Sequence, residues 1–534
     1  MPNNPTAPSS EHTICRNPAT GKILGYSPLT PVVELKTIFE NARIAQKSWA
    51  HLNIRQRTRH LAGVRDYIAQ HAEEIAEVIS KENGKTRIDA LSTDVMPAVM
   101  GVDYYIKHAE KFLKDRTILP GNILLANKLS RIFRVPYGVI GVISPWNYPF
   151  NIPFAEVVMG LLAGNAVVLK TATQTQMVGR FIEKCFQAAD LPGGIFNFVN
   201  LPGRLAGSAF IQNGVDKLFF TGSVAVGKQL MREASETLTP LVLELGGNDA
   251  MLVCKDADLH RAASGAVWAG LSNCGQSCGG IERIYVHEAV YESFLSRLKT
   301  KVEALRVGMD ADFDKDHFDK DLGVMTTQRQ AETVKNHLDD ALAKGAVIFS
   351  RSHQPEGNGS GHILPAYVLT EVTHDMRVMQ EETFGPILGV MKVKNMREAV
   401  ALANDSDFGL SGSVWSKNKK NACKLARRIQ AGVVMINDHL AAQGMSEIPW
   451  GGFKTSGIGR THGSIGFDEM TQSQVIVDDL MPCVRQNMWW HPHGKKIYKG
   501  LSGAIQFLYA KSTFERAGGL VDLLKIVPRY FRTK

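Results

Sequence analysis

At 534 residues, with 44% hydrophobic residues and 48 glycines, the chain has the composition of a multidomain α/β protein with a core of ordinary size. Its net charge of +9 is concentrated: Arg485 to Lys534 holds ten Lys/Arg against Glu515 and Asp522, leaving +1 for everything before. That argues against a basic nucleic-acid-binding core, and seven scattered cysteines without zinc spacing argue against a disulfide scaffold or a metal site.

The first ten residues lack a basic segment and an apolar run, so a loose arm is expected there, not a signal peptide. Pro31 to Gln70 predicts two helices, with Val32, Val33, Leu35, Ile38, Phe39 and Ala42 at helical spacing, and Arg55 to Lys81 continues the pattern. Ile118 to Ile143 reads as β-strands around a Pro136-Tyr137-Gly138 turn. The two prolines of Pro145-Trp146-Asn147-Tyr148-Pro149 then fix a rigid loop, and a helix-like run follows to Leu162.

Strands are expected at Val139–Ile143, Val167–Lys170, Ile195–Val199, Lys217–Phe220 and Leu241–Leu245, with helical stretches between them. This alternation predicts a parallel, doubly wound sheet, whose ligands bind beyond the carboxyl ends of its strands. Lys170, Thr221-Gly222-Ser223 and Glu244 all stand at such ends. A second α/β region spans Ala250 to about Trp450, with strands near Arg283–Val286, Ile387–Met391 and Val433–Ile436. No apolar run reaches the ~18–20 residues of a membrane span.

Two segments carry chemistry. Leu241 to Asn248 joins an apolar run to Glu244 and a Gly246-Gly247 break, and Gly275-Gln276-Ser277-Cys278 sets a cysteine on a small-residue loop. Alone, Glu244 reads as a strand cap and Cys278 as a small buried apolar residue. Together they are a base and a nucleophile. In order along the chain come Pro145-Trp146-Asn147, Lys170, Phe220-Thr221-Gly222-Ser223, Glu244-Leu245-Gly246-Gly247, Gly275-Gln276-Ser277-Cys278, Glu382-Thr383-Phe384-Gly385-Pro386 and Pro449 to Gly457. This ordered set resembles the aldehyde dehydrogenase superfamily over residues 12 to 484.

The resemblance implies NAD(P)-dependent oxidation of an aldehyde to a carboxylic acid through a cysteine thiohemiacetal and thioester. Cys278 would be the nucleophile, with Cys274 its rival in sequence; Asn147 would donate to the oxyanion and Glu244 would activate water. Pro145, Trp146, Lys170, Thr173, Thr221, Gly222, Ser223, Gly227, Leu245, Gly246, Glu382 and Phe384 would hold the NAD or NADP cofactor, and no metal is implied. The family's usual Lys-Pro-x-Glu is Lys170-Thr171-Ala172-Thr173 here, and loss of that acid predicts that NADP is tolerated.

The implied fold is α/β with two doubly wound domains. The expected division is 12–117 and 141–247 for the dinucleotide, 248–470 for catalysis, 118–140 and 471–484 for a β-hairpin oligomerisation arm, and 485–534 for a basic amphipathic helical tail. A homodimer or homotetramer is expected. Small residues at Ala155 and Gly279 predict a roomy apolar tunnel, hence a medium or long aliphatic aldehyde. The alternatives are a dehydrogenase for a small charged semialdehyde, with Arg283 as its nearest cation, and a non-catalytic protein retaining the fold. In the tail, Trp489-Trp490 precede Leu501, Ala504, Ile505 and Leu508 on one helical face, and Leu520, Leu523, Leu524 and Val527 on another, with cations flanking both. The expectation is a cytoplasmic enzyme held peripherally at an anionic membrane surface through this tail, with no nucleic-acid partner.

Overall fold

The computed structural model describes residues 11–309, 318–353, 362–481 and 483–531. The chain forms two compact units. One comprises the chain up to Leu113 with Val135–Gln472; the other comprises Lys114–Arg134 with the chain from Ser473 on.

The first unit holds two twisted sheets. The six-stranded sheet runs Gly457–Ile458, Leu241–Glu244, Lys217–Thr221, Val139–Ile143, Ala166–Lys170, Phe196–Phe198, all parallel except the first. Val139–Ile143 is buried along its whole length, as a strand covered on both faces must be. The chain leaves this strand to one side and later returns on the other, so a crevice opens at its carboxyl end, between the loop at Ser144 and the turn at Gly222. The seven-stranded sheet runs Val347–Arg351, Tyr367–Thr370, Ile387–Val393, Ile281–His287, Asp249–Val253, Ser411–Trp415, Val433–Ile436. Only its first pair is antiparallel. The expected division at 247/248 falls between the two sheets.

Several helices carry readable stop and start signals. Asn53 and Gln56 form a reciprocal capping box for Ile54–Gln70, each side chain accepting from the other's backbone N–H at 2.9 and 2.8 Å. Ser223 caps Val224–Ser235, the helix that follows the third strand of the crevice. Asn151–Leu162 is buried on almost every side, which is why it reads as a continuous apolar run.

Two expectations need correction. Val139 and Ile140, assigned to the arm, begin the central strand of the six-stranded sheet; the arm strand Lys128–Pro136 ends at the turn where Gly138 takes φ 130°. The expected break at 485 has no counterpart, because arm and tail share one unit. That unit contains the sheet Thr471–Asp479, Lys128–Pro136, Arg116–Ile118 and a hairpin of helices Lys495–Tyr509 and Thr513–Leu524.

The tail faces also differ from the reading. Helix packing here is set by glycine: a Cβ on Gly503 would lie 2.6 Å from the Gly519 carbonyl oxygen. Ala504, Leu523 and Ile526 are buried with Met488 in this core, and Leu501 packs against it. Ile505 and Leu524, expected on the same faces, point outward. Among the described residues no helix is long and apolar enough to cross a membrane.

Candidate active site

The crevice of the six-stranded sheet leads into a cleft of about 710 Å³ lined by Pro145, Trp146, Asn147, Thr221, Gly222, Ser223, Glu244, Leu245, Gly246, Cys278, Glu382 and Phe384, with Gln330 and Thr333. Twelve of these fourteen residues are expected from the sequence. A second, tighter cavity shares Thr221, Glu244, Leu245 and Cys278 with it, and adds Asn151, Ile152, Glu156, Gln443, Trp450, Thr461 and His462. Cys278 and Glu244 therefore stand between two chambers. Cys274 is fully buried and lines neither, and burial pushes its thiol up to about 12.

Close backbone approach explains the Gly-Gly break. A Cβ on Gly247 would collide with the carbonyl oxygen of Cys278, and one on Gly246 with the carboxylate of Glu382. Gly247 N–H donates to Glu382 Oε1 at 2.9 Å. The nucleophile loop is wound tightly: Asn273 and Cys274 take φ of 52° and 57°, a left-handed conformation that costs non-glycine residues energy unless the surroundings impose it. Asp89 imposes it by accepting from Asn273 N–H at 3.0 Å and from Ser272 Oγ at 2.9 Å.

Asn147 is anchored through its backbone. Its carbonyl oxygen accepts from Lys85 Nζ at 2.8 Å and from Asn273 Nδ2 at 2.9 Å. Its own Nδ2 donates to Gln276 O at 3.1 Å, which uses one amide hydrogen and leaves the other for a ligand. Lys85 is itself buried and paired with Asp94 at 2.7 Å, and Asp94 Oδ1 accepts from the backbone N–H groups of Phe150 and Asn151. Asp94 lies in a π-helical turn, Leu91–Val95. Such turns re-aim side chains and cluster at functional sites.

The electrostatics favour neutral forms. Burial raises the Glu244 carboxyl well above the usual carboxylate range, with Glu156 adding to the rise and Arg460 opposing it. Both Glu244 oxygens and Glu156 Oε2 are buried with no hydrogen-bond partner among the described residues. Burial, then the charges of Glu382, Asp249 and Glu244, push the Cys278 thiol up, so a resting thiolate is disfavoured. Glu382 is raised to about 8 by burial and by Glu282. Phe384 meets Trp146 edge-on, ring centroids 5.5 Å apart, and its N–H donates to Glu282 Oε1 at 2.7 Å.

The cleft suits a dinucleotide: a helix start capped by Ser223, a buried Thr221 hydroxyl without a partner among the described residues, and Glu382 set as an acceptor. Three expected cofactor residues lie outside its lining. Lys170 is buried at the end of the neighbouring strand, where burial pulls it down to about 8. Thr173 is exposed three residues beyond it. Gly227 lies inside its helix, where a Cβ would press on Leu245 at 2.8 Å, so it serves packing. Arg283 is not a pocket cation: it is buried and donates to the carbonyl oxygens of Asn248, Leu402 and Ala403. Gly279 does not open the tunnel, because Trp450 fills the space beside it, whereas Ala155 does line a further small cavity.

Lys85, Asp89, Asp94, Asn273, Glu156 and Glu282 were missed in the sequence reading. Only Glu156 carried a local signal, a lone acid in the apolar run Asn151–Leu162. The others act through hydrogen bonds between segments distant in sequence. Among the described residues no group of three or more His, Cys, Asp or Glu is placed to hold a metal ion.

Comparison with known proteins places this geometry. The profile described as Aldehyde dehydrogenase family matches residues 6–476. A Methylomonas sp protein named 4,4'-diapolycopene aldehyde oxidase is 35% identical over 502 residues, covering 94% of this chain and 92% of that protein. A Mycolicibacterium smegmatis protein with the provisional name succinate-semialdehyde dehydrogenase [NADP(+)] is 35% identical over 461 residues, 86% of this chain and 87% of its own. The solved NAD+ complex of aldehyde dehydrogenase from Bacillus cereus superposes with a TM-score of 0.82 at 31% identity, covering 88% of this chain and 94% of that chain.

Proposed function

We propose that this chain, which belongs to the aldehyde dehydrogenase family, oxidises a medium or long aliphatic aldehyde to its carboxylic acid. It is an aldehyde dehydrogenase, and its cofactor is NAD or NADP. One observation carries the substrate class: among the described residues no Lys or Arg lines the Cys278 cavity or the two cavities that share Asn151 and Gln443 with it. The acids that do line it, Glu156 and Glu244, disfavour a substrate with its own carboxylate.

In this reading the Cys278 thiol releases its proton to water and Sγ adds to the aldehyde carbon. The free hydrogen of Asn147 Nδ2 and the Cys278 backbone N–H stabilise the oxyanion. A nicotinamide cofactor bound in the cleft supplies the hydride acceptor, and Glu382 and Phe384 orient it. Glu244 then takes a proton from the water that cleaves the Cys278 thioester. Thr173, exposed where the family carries an acid, sets no negative charge against a ribose 2′-phosphate, so NADP is accepted beside NAD.

The test is a chain-length series with neutral n-aldehydes and succinic semialdehyde. kcat/KM should rise beyond four carbons and be lowest for the semialdehyde. A maximum for the semialdehyde would reject this substrate class and favour the activity for which the Mycolicibacterium relative is named.

The second unit supports two further readings. Thr471–Asp479 is an edge strand with Val475, Ile476 and Val477 exposed, which suits pairing with another copy as a dimer or tetramer. The outer faces of the helical hairpin suit an anionic membrane surface: Tyr498, Ile505 and Tyr509 are exposed at helical spacing on one helix, and Phe514, Val521 and Leu524 on the other. Lys495, Lys496, Lys499, Lys511 and Arg516 fringe them. The enzyme would then sit at the cytoplasmic face of a membrane, where lipophilic aldehydes partition.

A further inference from the structure

The tighter cavity at Cys278 contains a second carboxyl that the reaction described above does not use. Glu156 belongs to the helix Asn151–Leu162, is 2% exposed, and lines the cavity with Glu244, Cys278 and His462. An acid in so apolar a helix is costly unless it is paired or neutral. Among the described residues it has no ion pair, and its Oε2 has no hydrogen-bond partner. The helix is buried on almost every side, and the Glu156 carboxyl opens onto the cavity rather than onto the surface.

Its neighbours are few. From the strand Leu241–Glu244 comes Glu244, with both oxygens buried and unpartnered. From the segment before the helix Gly463–Glu469 comes His462, whose Nδ1 is also buried without a partner among the described residues and which burial keeps neutral, at about 4. Cys278 closes one side. Further charged or titratable groups act on these: Arg460 on Glu244, Glu382 and Asp249 on Cys278, while Tyr105 feels both Glu156 and Glu447. The cavity thus offers two carboxyls and one neutral imidazole to whatever polar molecule enters it. Hydrolysis of a Cys278 thioester requires water to enter, and a water here has these groups as its partners.

We propose that Glu156 and Glu244 act as a carboxyl pair that shares one proton, which rests on Glu244 beside an ionised Glu156 and passes to Glu156 when Glu244 becomes the base. Two buried carboxylates lining one cavity oppose each other's ionisation, whereas one charge over the pair is tolerated. In the step itself the water oxygen bonds to the thioester carbon. One water hydrogen goes to Glu244, the carbon–sulfur bond breaks, and its electron pair leaves on Cys278 Sγ. The proton on Glu244 then returns to that sulfur or moves out through Glu156. Glu156 acts through Glu244 and never touches substrate, so it is a positioning residue for the proton. Burial holds its own carboxyl at about 8, so the pair exchanges its proton near neutral pH.

This inference rests on the proposed role of Glu244, and the test separates the two. Glu156→Gln keeps the shape but holds neither charge nor exchangeable acid proton, and Glu156→Asp restores both. Rapid mixing with decanal and NAD should give Glu156→Gln a full first-turnover burst of reduced cofactor, followed by a steady-state rate at least about tenfold lower. The limb of the steady-state pH profile that belongs to Glu244 should move to lower pH by about one unit, because no like charge now opposes its ionisation. Glu156→Asp should recover most of the rate. An unshifted pH profile in Glu156→Gln, or loss of burst and steady state together, overturns the pair. If Glu244→Gln itself turns over at the wild-type rate, the role given to Glu244 fails and takes the pair with it.

Discussion

At the scale of single residues, this site is governed by burial more than by ion pairing. Glu244, Glu156, Glu382 and Cys278 are all pushed toward their neutral forms, and burial is the largest cause in each. The consequence for stability has a definite sign. Glu156 holds its proton up to about pH 8 in the folded chain, against an ordinary 4.5. Between those values the unfolded chain has lost a proton that the folded chain keeps, so stability falls as pH rises through that window. The contribution is complete below about 4.5 and gone above about 8. Glu156→Gln should therefore raise Tm at pH 8.5 by about 2 °C or more and leave it near wild type at pH 4.5, as read by scanning calorimetry. A larger gain at pH 4.5 than at 8.5 would contradict the assignment. Much of the residue inventory was legible beforehand. Asn147, Glu244, Cys278, Glu382 and Phe384 belong to ordered motifs, and twelve cleft residues follow from those motifs. Arg283 was legible only as a cation, because its three carbonyl partners come from residues far away in the chain.

At the scale of elements, the loops that carry Asn147 and Cys278 are held by one short stretch, Lys85 to Asp94. Lys85 binds the Asn147 carbonyl, Asp94 binds the N–H groups that open the next helix, and Asp89 binds the loop before Cys278. No periodic pattern signals this bracket, since its power lies in a π-turn and in buried charge. Strands and helices with strong periodicity were readable, and their ends at Lys170, Thr221 and Glu244 came out where the crevice needs them. Lys85→Met should leave Asp94 buried and uncompensated, destabilising the fold by about 3–5 kcal/mol and lowering kcat as Asn147 loses its anchor. Replacing both partners, Lys85→Met with Asp94→Leu, should recover much of the stability but not the activity. Urea unfolding and initial rates on the two variants check this; a single variant as stable as wild type would remove the bracket from the account.

At the scale of the whole molecule, the second unit is where sequence and structure part most. Helical periodicity alone could not say which apolar residues face a partner helix, because Gly503 and Gly519 bring the two backbones together and draw Ala504 and Leu523 inward. What remains outside is a different apolar set. Replacing Ile505, Phe514 and Leu524 together by Glu should abolish co-sedimentation of the full chain with phosphatidylserine vesicles and leave oxidation of a short aldehyde unchanged. About 0.5 M salt should weaken wild-type binding, as screened cations require. Equal sedimentation of the variant would return these faces to contact with another copy. The central claim, aldehyde oxidation through a thioester on Cys278, is tested most directly by trapping that thioester. Glu244→Gln is mixed with decanal and NAD, quenched after one turnover, digested, and weighed by mass spectrometry. A decanoyl adduct on the peptide at Cys278, with one reduced cofactor per chain, is the predicted result. An adduct on Cys274, or reduced cofactor with no acylated cysteine, would contradict it.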